Sequence, residues 1–210
     1  MNNLGLFLFV TFVTCITPGA GVLYTLHNAF NYGVKNAAFS PTGNAIGVAI
    51  MSAIAVGGLG AIIQANPVLF NSIQTVGAFV LFYFGWKSFH ASTINLANPG
   101  IAVKKQKEQK HLGIIFSAAC LQVTNPMLIV FLLSLLPQFI DPQMDYNKQV
   151  WPMVGMFVFM CWLVHIAYSY TAAIASTKFM GPKFSYWLNK ISGALFFFLG
   201  GSVLYKIAVL

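Results

Sequence analysis

The first charged side chain in this chain is Lys35, the second is Lys87, and no other precedes Lys104. Such a stretch cannot furnish the outside of a water-soluble domain, in which about a quarter of residues are charged. Here charged residues make up 7% of 210, 58% are hydrophobic, and mean hydropathy is +0.77. A bilayer core roughly 30 Å thick is crossed by about 20 consecutive apolar residues in helical form. Charge-poor runs of that length fall at about 4–28, 38–64, 68–86, 112–137, 151–175 and 185–208. The expectation is an all-α integral membrane protein of six transmembrane helices, with residues 1–210 forming a single membrane domain.

Every basic side chain is a lysine, and the net charge is +8. With no soluble basic face to carry that charge, nucleic acid is excluded as a partner; membrane lipid and a small molecule remain. Cytoplasmic loops carry the Lys/Arg excess. With six spans, one side of the membrane holds Lys35, Lys87, Lys104, Lys105, Lys107, Lys110, Lys178, Lys183 and Lys190, and the other holds only Lys148 and Lys206. This predicts lysine-rich loops in the cytoplasm and both termini outside a bacterial inner membrane. The apolar N-terminal run lacks the positive n-region and small-residue cleavage site of a signal peptide, so it is expected as a retained first helix. Cys15, Cys120 and Cys161 are isolated within the predicted spans, and they imply neither a disulfide framework nor a metal site.

The one long polar stretch, Ser88 to His111, divides three spans from three. Each half crosses the membrane an odd number of times, so similar halves would lie in opposite orientations, the inverted-repeat plan of secondary transporters. Repeat one covers about 1–90, the polar linker about 91–110, and repeat two about 111–210. Homo-oligomerisation is left open.

The two halves share a feature at matching positions: "ITPG" at 16–19 and "VTNP" at 123–126. Pro18 and Pro126 cannot donate a backbone hydrogen bond and oppose the carbonyls of Thr14 and Gln122. Gly19 and Gly21 ease departure from the helix. In lipid a freed backbone group must face protein or a water-lined cavity. A lone proline of this kind is often a kink repaired by a neighbouring hydroxyl. A matched pair can instead aim half-helix ends at a common centre, N-termini toward a carboxylate and bare carbonyls toward an ammonium. Thr14, Thr17, Gly21, Thr25 and Asn28 form a polar stripe on the first helix, and Gln122, Thr124 and Asn125 surround the second proline. Asn44 lies between Gly43 and Gly47, whose spacing permits close helix approach; Asn44 itself suits either packing or cavity lining.

The acids Glu108, Asp141 and Asp145 fall in predicted loops, so no buried carboxylate relay is available. His27 and His165 are the titratable residues at depth and the candidates for proton coupling, against the commoner role of a hydrogen-bonded structural histidine. Lys87 is expected to snorkel to the interface, and the phenylalanines to face lipid or pack. No G-x-S-x-G, H-E-x-x-H, P-loop or acid pair is present, so neither an enzyme nor a cofactor is expected.

In order along the chain, "TPGAG", "GVKNA" (33–37), "GNAIG" (43–47), Gly58-Leu59, "VGAFVLFYFG" (76–85), "TNPMLIVFLLSLLPQF" and "ISGALFFFLGG" resemble the motifs of the lysine-exporter type (LysE/RhtB) family of bacterial amino-acid efflux proteins. The resemblance implies efflux of an amino acid or derivative and carries a binding role onto Thr17, Pro18, Gly19, Asn125 and Pro126. Ala20, Gly21 and Met127 stand where the family usually has proline, Asn or Asp, and lysine. Those departures argue against a cationic cargo and for a small neutral amino acid. Two alternatives are a relative moving another solute or cation, and a non-transporting membrane assembly partner.

Overall fold

A computed structural model describes residues 3–65, 67–93, 110–174 and 181–209. The polar linker, with Glu108 and its lysines at 104–107, lies outside the described residues apart from its two ends, as does Lys178. The described elements are helices: α1 (Leu4–Ile16), α2 (Ala20–Ala37), α3 (Ser40–Ala65), α4 (Pro67–Phe89), α5 (His111–Val123), α6 (Pro126–Leu135) with a 3-10 turn at Leu136–Gln138, α7 (Tyr146–Ile174) and α8 (Pro182–Val209).

The first and fourth expected spans are each broken. The axis turns by 51° between Leu4–Ile16 and Ala20–Ala29, and by 60° between His111–Val123 and Pro126–Gln138. The local cause is the same at both sites. Thr17 (φ −67°, ψ 130°) and Asn125 (φ −85°, ψ 100°) are extended, the conformation forced on a residue that precedes proline. Pro126 then opens α6 at its first helical position, where its missing N–H costs nothing. Among the described residues three segments are singly long and apolar enough to cross a membrane, 35–60, 146–171 and 182–209, or five if each bent pair is one span.

The exterior is apolar, and the hydrophobic core also admits small polar side chains. Fully buried positions include Thr11, Thr25, Asn28, Ser40, Asn44, Ser52, Ser169 and Ser192, while Ile54, Phe79, Phe116, Phe159 and Phe198 are exposed. Small polar residues inside and large apolar residues outside suit a chain solvated by lipid, where interhelical hydrogen bonds and close backbone approach replace hydrophobic collapse. Asn28 Nδ2 donates to Ser40 Oγ at 2.7 Å between α2 and α3, and the Tyr146 hydroxyl donates to the Val56 carbonyl at 2.6 Å between α7 and α3. Helix α4 packs along α8, α3 along α5 and α7, and α1 and α2 against α7. The α3–α5 approach depends on Gly43 and Gly47: a Cβ on Gly43 would collide with the Ile115 carbonyl, and one on Gly47 would stand 2.7 Å from the Ala119 carbonyl. The acids Asp141 and Asp145 lie between the 3-10 turn and α7, where their side chains accept from the Gln143 and Lys148 N–H groups, each at 3.0 Å.

Candidate functional site

Both helix breaks open onto one cavity of about 450 Å³, within the usual range of roughly 300–1,000 Å³ for small-molecule sites. Its wall takes Thr14 through Val22 from the α1–α2 break, excepting Ile16, and Gln122, Asn125, Met127 and Leu128 from the α5–α6 break. Helices α4, α7 and α8 complete it with Lys87, His165 and Asn189 among others.

The two breaks are alike in angle and unlike in chemistry. The carbonyls opposed by the prolines are not left bare: Thr17 N–H reaches Thr14 O at 3.3 Å, and Asn125 N–H reaches Gln122 O at 3.2 Å. This corrects the expectation of freed carbonyls at Thr14 and Gln122, because the chain tightens into a turn at each break. Tyr168 donates its hydroxyl to the Ile16 carbonyl at 2.6 Å, and Thr17 Oγ1 both donates to Val13 O at 2.6 Å and bonds Ser192 Oγ at 2.6 Å. The end of α1 is therefore fastened to α7 and α8. At the start of α6, Asn125 Oδ1 accepts from the Met127 N–H at 3.1 Å and caps the helix. At the start of α2 no side chain does so. Gly19 O takes the Leu23 N–H at 2.9 Å, and the first N–H groups of α2, at Ala20, Gly21 and Val22, have no hydrogen-bonding partner among the described residues. All three residues line the cavity.

Beside that end stands a cluster gathered on Gly21. Asn44 Nδ2 donates to Gly21 O at 3.3 Å and to Thr25 Oγ1 at 3.2 Å. A Cβ on Gly21 would stand 2.9 Å from Gln122 Nε2 and 3.0 Å from His165 Nε2; only glycine admits helices α3, α5 and α7 this closely. His165 Nδ1 lies 2.7 Å from the Cys161 carbonyl. A carbonyl can only accept, so Nδ1 carries the hydrogen, and Nε2 of the neutral ring presents a lone pair beside Gln122.

Another part of the wall is apolar. Phe84, Phe131, Phe157 and Phe196, one each from α4, α6, α7 and α8, line it. Phe131 holds the group together, with ring centroids 5.9 Å from Phe84, 5.8 Å from Phe196 and 6.4 Å from Phe157. Lys87, exposed, lines the cavity with Ser88 and Ala91 at the end of α4. Among the described residues no carboxylate lines the cavity.

Comparison with known proteins supplies the family. The LysE type translocator family matches residues 12–207, nearly the whole chain. The chain belongs to that family. It is 28% identical over 195 residues to a homoserine/homoserine lactone efflux protein of Salmonella typhi, covering 92% of each chain. It is 37% identical over 127 residues to a leucine efflux protein of Salmonella choleraesuis, covering 60% of this chain and 58% of that one. A membrane protein of Vibrio cholerae serotype O1, whose name states no activity, is 27% identical over 190 residues, 90% of each chain. No solved structure matches. This LysE type translocator is thus a multi-pass membrane protein whose relatives include amino-acid efflux proteins.

The positions singled out in the sequence divide. Thr14, Thr17, Pro18, Gly19, Gly21, Gln122, Asn125 and His165 share the translocator's cavity wall. Asn44, Thr124, Pro126 and His27 do not. Asn44 lies one layer behind Gly21, and Thr124 is exposed with its hydroxyl donating to Cys120 O at 2.7 Å. Pro126 shapes the break beneath its lining neighbours Asn125 and Met127, and His27 sits farther along α2. Missed by the sequence reading were Lys87, expected only at the lipid interface, and the four phenylalanines, to which no chemistry was assigned. Nothing in their local sequence separates them from the lipid-facing phenylalanines; the wall exists only once four helices meet.

Proposed function

We propose that this translocator exports a small neutral amino acid or derivative from the bacterial cytoplasm across the inner membrane, binding it between the two broken helices. What carries the reading is the cavity's polarity. The uncapped N-terminus of α2 offers backbone N–H groups and a positive dipole end to a carboxylate. Gln122 and Asn125 from the other break offer amide oxygens to an ammonium, and the phenylalanine wall receives an uncharged side chain. With no carboxylate in the wall among the described residues, a lysine or arginine side chain would lose its hydration without gaining a counter-ion.

In this reading the translocator crosses the membrane six times, as inverted halves of three spans at about 1–90 and 111–210, each half beginning with its broken helix. The lysine bias puts both termini outside. The part of the cavity lined by Lys87 and Ser88 then lies toward the cytoplasm, where an exporter must load. The halves rock about the site to alternate access. Proton coupling, if the cycle uses it, falls to His165, whose Nε2 is the site for an added proton beside Gln122; His27 is remote from the cavity.

Overproduction raises tolerance to toxic analogues of the exported amino acid, and the purified translocator in vesicles moves that amino acid. His165→Gln removes the pH dependence of transport if the proton assignment holds, and intact pH dependence in that variant refutes it. Failure of the folded protein to move any of a broad panel of amino acids would refute the substrate class and favour an assembly role.

A further inference from the structure

A second cavity, of about 270 Å³, lies at the other end of the same helices, and Gln74, Gln138 and Ser202 supply polar groups to its wall. Four elements contribute to both cavities. Helix α1 gives Leu6 to the second and Thr14 to the first, α4 gives Gln74 and Phe84, α8 gives Ser202 and Phe196, and α6 with its 3-10 turn gives Gln138 and Phe131. Phe131 and Gln138 are separated by about 10 Å of helix at 1.5 Å per residue. Between the cavities in each of α1, α4 and α6 stand residues with no solvent exposure: Phe7, Val10, Leu81, Leu132 and Leu135, each 0%. Phe7 is braced from the far side by the Phe139 ring, centroid to centroid 5.2 Å.

The polar groups of the second cavity are tied across helices. Gln74 Nε2 donates to Pro137 O at 2.8 Å, and Gln138 Nε2 donates to Ser134 O at 3.0 Å and to Gln74 O at 3.4 Å. These bonds fix both amides and leave Gln138 Oε1 buried with no hydrogen-bond partner. A buried acceptor left unmade costs about 1–3 kcal/mol.

We propose that this second cavity is the outward half of the translocation path, and that Phe7, Val10, Leu81, Leu132 and Leu135 form an apolar septum closing it from the loading cavity in the state seen here. The inference rests on reading the chain as a transporter, and it adds the exit route and the barrier.

Sidedness of labelling tests it without a transport assay. Ser202→Cys and Ser88→Cys variants are treated with a membrane-impermeant maleimide in right-side-out and in inverted vesicles, and modification at each position is read by peptide mass spectrometry. Position 202 is expected to react only from the outside and position 88 only from the cytoplasmic side. Adding Leu132→Ala/Leu135→Ala to the Ser88→Cys variant, with folding checked by gel filtration, is expected to raise outside labelling of position 88 several-fold. Labelling of both positions from one side, no labelling of position 202, or a septum variant whose position 88 remains closed to the outside would overturn the proposal. Loss of amino-acid transport in vesicles with sidedness preserved would instead count against the transport reading alone.

Discussion

At Gly21 the missing side chain sets the site's dimensions. Two nitrogens, Gln122 Nε2 and His165 Nε2, lie within 3.0 Å of where a Cβ would be, and Asn44 Nδ2 lies 3.4 Å from it. Gly21→Ala must push the amide or the imidazole outward, and small-to-large changes of this kind cost about 1–3 kcal/mol. Each 1.4 kcal/mol is tenfold, so the variant is expected to weaken cargo affinity by roughly ten-fold or more while its amount in the membrane stays near that of the unaltered protein. A binding measurement by scintillation proximity checks this. Ala at Gly19 alone is a control, since a Cβ there meets nothing nearer than the Thr17 carbonyl at 3.9 Å. Gly21 was visible in the sequence as part of a polar stripe, but its reason was not. The crowding comes from α3, α5 and α7, and no local pattern reports which side chains of distant helices will converge on one Cα.

Along the helices, the breaks were the most legible feature. Proline after threonine, followed by glycine or preceded by asparagine, is a local instruction, and both sites obey it. Their asymmetry was not legible. Asn125 caps its own helix, whereas α2 starts without a capping side chain, and the carbonyl at the end of α1 is taken by Tyr168, which is remote in sequence. Tyr168→Phe deletes that tether while preserving the ring. A hydrogen bond between membrane helices is worth about 0.6 kcal/mol on average, so the variant should fold, lose a few degrees of thermal stability in detergent, and transport more slowly because the break is less firmly held. An unchanged transport rate would show that α1 needs no such anchor. Pro18→Ala combined with Gly19→Ala restores helix-forming residues across the first break, and transport is expected to fall to background with the protein still inserted. Helix α3 offers the contrast of a purely structural site. Gly43→Val drives a side chain into the Ile115 carbonyl, and the expected result is loss of folded protein, read as aggregation in gel filtration, not a change of cargo.

Over the whole molecule, charge scarcity and the positions of the apolar runs were enough to anticipate a helical membrane protein, and the ordered motifs were enough to anticipate its family. The composition of the cavity was beyond them. Phenylalanine is common throughout this chain, 20 residues in all, and only the meeting of α4, α6, α7 and α8 distinguishes the four that form a wall. Lys87 shows the same limit: a lysine at the end of an apolar helix reads as an interfacial anchor until a cavity is found beside it. The central claim is that this cavity carries a zwitterion with an uncharged side chain. Counterflow in vesicles reconstituted with the purified protein tests it most directly, using radiolabelled leucine and lysine in parallel against an excess of unlabelled neutral amino acids. The account predicts leucine exchange well above protein-free vesicles, lost in the Pro18→Ala/Gly19→Ala variant, with lysine at background; equal exchange of lysine and leucine, or none of any amino acid by folded protein, would contradict it.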